Sequence, residues 1–264
     1  MIKSATLKKE FATKDEIFGE LRKNADKILS LKKAAIKRSG LIGATSKGIS
    51  VNKLAINPDS IYPVINTTNL VDYCDDLHLP GIWKKSLTEQ QGKLYYCLEH
   101  ELELKNIIAW PNDVKSYTTK LAWSAIGQPY TGSTEALIFE IKKDAIVNED
   151  VADVIDESRP VQNSVSMQYV AIELCMNSNV AEDATYKAAW DKYYPQVANK
   201  EYVDAQGYMF AVTEAKIVRE GSMVLLGANA ATPILGMGNM PEENTFEDGM
   251  PPKPKSFICY SNIL

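Results

Sequence analysis

The chain has 264 residues, 45% of them hydrophobic and 24% charged, with a formal net charge of −5. That composition is ordinary for a globular protein and excludes a disordered or collagen-like chain. The longest nearly apolar run, "MVLLGANAATPILGM" from Met223, is 15 residues broken by Asn and Pro, against the roughly 20 that a membrane-spanning helix needs.

The N-terminus, "MIKSATLKKEFATKDE", carries charge where an export signal needs an apolar core, so none is expected. Residues 13–39 are expected to form one long helix. Thr13 and Glu16 have capping-box spacing, Ile17, Leu21, Ala25, Ile28, Leu29 and Ala35 recur at helical intervals, and Gly40 is placed as the stop. At 1.5 Å per residue it would be about 40 Å long, more than a compact domain needs. Residues 1–40 hold 11 Lys/Arg against 5 Asp/Glu, and the rest of the chain holds 18 against 29. The basic part should therefore pack on the acidic part or seek an acidic assembly partner. Residues 1–40 are read as a basic helical arm, 41–235 as the main domain and 236–264 as a Pro/Met/Glu-rich flexible tail. Arm and tail are both expected to be dispensable for the main domain.

From residue 41 strand-like runs alternate with turn signals at Pro80-Gly81 and Gln91-Gly92. "NDVKSYTTKLAWSAIG" reads as a short helix capped by Asn112 and stopped by Gly127, followed by a strand, "EALIFEIKK", and a polar acidic stretch. Then "RPVQNSVSMQYVAIEL" reads as a strand buried on both faces that begins with two hydroxyls in register, Ser164 and Ser166. A helix over "AEDATYKAAWDKYYPQVANKE" and strands over "GYMFAVTEAKIVREGSMVLLGAN" complete the domain. Many short strands with helices between them predict an α+β, mainly β fold: a closed β-barrel core decorated by helices.

Chemistry-bearing groups are few. Cys74, Cys97, Cys175 and Cys259 form no C-x-x-C pair and read as reduced thiols of an intracellular protein. His78 and His100 are the only histidines and no H-E-x-x-H occurs, so neither metal nor cofactor is expected. "LYYCLEHELEL" sets His100 among carboxylates on an apolar strand. With Ser164 and the later Glu214 or Glu220, it offers the base, nucleophile and acid of acyl-transfer chemistry. A buried hydroxyl without a partner costs about 1–3 kcal/mol, which makes the paired serines conspicuous. His78, before the turn at Pro80-Gly81, is the alternative base.

Four segments in order carry a resemblance over roughly residues 60–234: "HLPGIWKKSL", "LYYCLEHE", "NSVSMQYV" and "TEAKIVREGSMVLLGANAATP". The chain resembles the prohead serine proteases of tailed phages, a family related in fold to the herpesvirus capsid-maturation proteases. The resemblance implies His100 as base, Ser164 as nucleophile and Glu220, from the family's E-x-S-L-V segment, as third member. Ser166 stands where the family usually has Gly, and Glu101 replaces the common Asp after the histidine. Implied in turn is an endopeptidase working without cofactor in the host cytoplasm, inside the prohead. It would cleave scaffold, capsid precursor and itself, with homo-oligomers possible and no nucleic acid or membrane as partner. The rival expectation is an inactive protease-fold scaffold or minor head protein, favoured by Ser166.

Overall fold

The structure is a computed structural model that describes residues 1–37, 56–235 and 237. It opens with a hairpin of β1 (Ile2–Ser4) and β2 (Lys9–Phe11) and continues into helix α1 (Lys14–Ala34). Thr13 Oγ1 accepts from the Glu16 N–H at 3.3 Å, and Glu16 Oε2 accepts from the Ala12 N–H at 2.9 Å. This is the capping predicted from their spacing, worth about 1 kcal/mol. The helix expected to run to residue 39 ends at Ala34. Ala35 is extended and Lys37 bridges Met167, so the chain leaves the helix to pair with a later strand. Gly40 lies outside the described residues.

Eleven strands and five helices make a mixed α/β architecture among the described residues. One four-stranded sheet has the order β11 (Ile234–Leu235), β3 (Ser60–Thr67), β8 (Ser133–Lys142) and β7 (Lys115–Ala122). The other is organised by β10 (Tyr208–Val224). Along one edge β10 pairs antiparallel with β9 (Gln162–Met176). It pairs in parallel with β4 (Asp76–His78) and further along with β5 (Tyr95–Leu98), which carries β6 (Ile107–Ala109). Helices α2 (Lys84–Gln90), α3 (Glu149–Asp156), α4 (Ala184–Tyr193) and α5 (Lys200–Gln206) lie between strands in the chain.

The segment before β11 stitches the two sheets together. The Thr232 carbonyl accepts from the Asn163 N–H at 3.0 Å, and the Pro233 carbonyl from the Val64 N–H at 2.9 Å. No closed barrel is found among the described residues.

Two local expectations are corrected. The stretch expected as a helix after Asn112 is strand β7, in register with β8 from Lys115–Glu140 to Ala122–Ser133. The capping signal at Asn112 lost to the run Tyr117-Thr118-Thr119, whose bulky and β-branched side chains suit a pleated sheet. Within the acidic stretch, α3 was missed; its cap is Asn148, whose side chain accepts from the Val151 N–H.

The basic arm packs on the rest of the chain, the first of the two outcomes expected from its charge. Ile17, Phe18, Leu21, Ala25 and Ile28 of α1 are buried in the main core with Met167, Tyr169 and Phe210. Burying each such large apolar side chain is worth about 1.5–3 kcal/mol. Lys32, with no exposed side-chain surface, pairs with Asp76 at 2.6 Å, and Lys37 pairs with the other Asp76 oxygen. The positive charge of this segment is thus partly spent inside the protein. Its helix belongs to the main body's core. The tail lies outside the described residues apart from Met237.

Asp76 anchors a buried polar chain that also disposes of His78. Tyr169 donates to Asp76 at 2.9 Å and meets His78 Nε2 at 2.8 Å. On the other side the Asn66 amide meets His78 Nδ1 at 2.9 Å, and the Trp83 indole N–H donates to Asn66 Oδ1. An indole N–H only donates, so Asn66 must turn its oxygen to Trp83 and its NH₂ to His78. His78 Nδ1 is therefore an acceptor, and its proton sits on Nε2. Burial pushes the ring down to about 3, so His78 stays neutral.

Burial alone would raise the Asp76 carboxyl, but Lys32 and Lys37 outweigh it and hold it well below the usual range. The resulting stabilisation is complete above the unfolded aspartate value near 3.9 and is lost as pH falls below that towards the depressed native value. Asp72, which burial pushes up to about 7, has already taken its proton in the folded state in that window. Asp76→Asn is expected to cost about 3–5 kcal/mol in urea unfolding, because it leaves two lysines buried without their charge partner. It should also flatten the loss of stability below pH 4. Removal of residues 1–37 is expected to abolish cooperative unfolding, which circular dichroism would read.

Candidate active site

The site is built where β10 breaks its regular pairing. Between Ile217 and Gly221 the register against β9 shifts, and Arg219 takes a left-handed conformation at φ 69°. Beyond the break, Gly221 lies opposite Val165 and Ser222 opposite Ser164, while Glu220 and Ser222 pair with Tyr95 and Cys97 of β5. A bulge re-aims side chains and increases local twist. Gly221 permits the close approach that follows: a Cβ there would meet Phe139 Cε2 at 2.8 Å and Ile65 Cδ1 at 3.1 Å.

His100 does not lie on a strand. β5 ends at Leu98, and Leu98–Glu101 form a tight turn in which the Leu98 carbonyl accepts from the Glu101 N–H at 2.9 Å. Both central residues are left-handed, Glu99 at φ 47° and His100 at φ 61°. That is the pattern of a type I′ turn, which normally calls for Asn and Gly. Holding non-glycine residues there costs of order 1–3 kcal/mol each. The end of β10 holds the turn in place. The Glu99 N–H donates to the Met223 carbonyl at 2.9 Å, the Leu225 N–H to Glu99 Oε1 at 3.1 Å, and the His100 N–H to Ser222 Oγ at 3.1 Å.

The result is a compact constellation. His100 Nδ1 lies 2.8 Å from Glu220 Oε1. Ser222 Oγ donates to Glu220 Oε2 at 2.5 Å and also lies 3.1 Å from Cys97 Sγ. Ser166 Oγ stands 3.4 Å from His100 Nδ1 and hydrogen-bonds Glu220. Burial alone would raise the Glu220 carboxyl, but the bonds from His100, Ser166 and Ser222 outweigh it and hold it below the ordinary glutamate range. An ionised carboxylate only accepts, so the proton between the two groups sits on His100 Nδ1. The lone pair of the neutral ring is then on Nε2, which is buried without a hydrogen-bond partner among the described residues. A ring oriented in this way is chemically a base, with an anion behind it to stabilise its charged form.

His100 and Glu220, named from the sequence, are thus brought into direct contact 120 positions apart. Ser164 is the cross-strand partner of Ser222, where opposed Cβ atoms stand about 4.5–5.5 Å apart. Its hydroxyl is not hydrogen-bonded to His100 Nε2, and the serine near the ring is Ser166. Glu214, on the same face as Glu220 by strict alternation, is separated from it by the bulge and pairs with Lys85 at 3.5 Å. His78 lies in the Asp76 chain already described. Ser222 and Cys97 were not singled out from the sequence, although Ser222 follows Glu220 by one strand period. Among the described residues no group of His, Cys, Asp and Glu is arranged to hold a metal ion.

Comparison of the chain with models of protein families, with curated proteins and with solved structures found no match.

Proposed function

We propose that the chain is a serine endopeptidase of phage head maturation, acting inside the prohead on scaffold, capsid precursor and itself. In this reading Ser164 attacks the scissile carbonyl and its proton passes to His100 Nε2. Glu220 holds the imidazole by Nδ1 and offsets its charge. His100 then protonates the leaving amine, and water releases the acyl group. No metal or cofactor enters the scheme.

The observation that carries the reading is the buried His100–Glu220 pair, which leaves Nε2 without a partner. Ser164 is not hydrogen-bonded to it and is placed in the site by its register opposite Ser222. Ser166 stands instead at Nδ1, the nitrogen already engaged by the acid. That position favours Ser164 as nucleophile. The two sheets stitched at Thr232–Pro233 would correspond to the barrel of the capsid-maturation proteases.

A second reading, a protease-fold head protein without activity, is favoured by the burial of the same groups. His100 and Ser164 are only 5% and 6% exposed, so substrate must open the site to reach them.

A fluorophosphonate probe, with the modified peptide mapped by mass spectrometry, separates the readings. Labelling is expected at Ser164, lost in Ser164→Ala and His100→Ala and retained in Ser166→Ala. Labelling at Ser166 would move the nucleophile by one strand period. A wild-type protein that neither labels nor cuts the cognate capsid precursor would leave the structural protein as the better account. Glu220→Gln is expected to lower the labelling rate about 10²–10⁴-fold, because it keeps the shape and removes the charge that favours imidazolium. The same substitution in Glu214 should leave the rate unchanged.

A further inference from the structure

We infer that Ser222 is a positioning residue that locks acid and base into one geometry. The inference rests on the reading of His100 as base and adds a fourth residue to the site. Ser222 is fully buried, and besides Cys97 Sγ at 3.1 Å its single hydroxyl engages both the acid and the base. As donor it holds Glu220 Oε2 at 2.5 Å, and as acceptor it takes the His100 backbone N–H at 3.1 Å.

The first bond fixes which carboxylate oxygen is left for His100. With Oε2 engaged by Ser222, Oε1 faces His100 Nδ1 at 2.8 Å. The second bond pins the backbone of a residue whose φ of 61° is unfavourable for a side chain of this kind. One oxygen therefore ties the acid's rotamer to the turn that carries the base. Register places the same residue opposite Ser164 on β9 and beside Cys97 on β5, so the hydroxyl sits where three strands meet.

Nothing else described does both tasks. Ser166 reaches Glu220 and Nδ1 but not the His100 backbone, and the Cys97 thiol, 3.7 Å from Glu220 Oε2, is a weak donor. Losing a hydrogen bond to a charged group is worth about 1.5–3 kcal/mol, or roughly a ten- to hundred-fold effect.

The test compares wild type, Ser222→Ala, Ser222→Cys and Ser166→Ala at matched thermal stability, with two independent readouts. The first is hydrogen exchange of the His100 Nδ1–H followed by proton NMR. The second is the rate of fluorophosphonate labelling together with kcat and KM on a peptide from the capsid precursor. Ser222→Ala is expected to speed Nδ1–H exchange at least about ten-fold and to lower kcat and labelling similarly, with KM within about two-fold. Ser222→Cys should fall between wild type and Ser222→Ala, and Ser166→Ala should change exchange less than either.

Exchange and labelling in folded Ser222→Ala equal to wild type would overturn the inference. If Ser222→Ala does not fold, wild-type exchange in Ser222→Cys would overturn it equally. Faster exchange in Ser222→Ala from a protein that never labels or cleaves would uphold the positioning role and defeat the peptidase reading alone.

Discussion

A carboxylate buried to 2% exposure must be met by donors, and Glu220 is met by His100, Ser222 and Ser166. Much of the local architecture follows from that demand. The donors come from three segments: the turn after β5, the far end of β10 and the start of β9. To bring them together the chain accepts a bulge at Arg219, a glycine packed without room for a Cβ, and two left-handed residues in the turn that carries His100. Each is unfavourable locally and persists only because its surroundings over-determine it. Among the described residues, three of the seven non-glycine positions with positive φ, Glu99, His100 and Arg219, lie around this one buried acid–imidazole pair.

The other buried carboxylate, Asp76, makes a useful contrast. It too is engaged on both oxygens, but its partners are two lysines and a tyrosine, and its neighbouring imidazole is occupied at both nitrogens. Such a cluster has no open valence; it ties the N-terminal helix to the sheet. At Glu220 the imidazole is satisfied on one nitrogen only. The same residue types thus make a structural junction in one place and a candidate reactive centre in another, according to which hydrogen bonds are completed.

Much of this was legible in the sequence where local chemistry decides. The cap at Thr13 and Glu16, the strand of the paired serines, and the strand over Glu135–Lys142 follow from spacing and side-chain type. The pairing of His100 with Glu220 came from an ordered set of motifs, since no local pattern spans 120 residues. Other features were hidden because they depend on partners distant in sequence. Strict alternation could not separate Glu214 from Glu220, because a bulge is invisible to a period of two. The turn at Glu99-His100 carries none of the glycine or asparagine that normally announces it. The burial of Lys32 on α1 and of Lys37 just beyond it could not be read either, since lysines in a basic segment ordinarily signal a solvated face, and only Asp76, far along the chain, makes their burial tolerable.

The central claim is that His100 is held with its proton on Nδ1 and its lone pair on Nε2. With only two histidines in the chain, the tautomers are accessible by nitrogen NMR of protein labelled in histidine, assigned with His78→Asn. The account predicts opposite rings: a pyrrole-type Nδ1 and pyridine-type Nε2 in His100, and the reverse in His78. A His100 ring protonated on Nε2, or the same tautomer in both histidines, would contradict it.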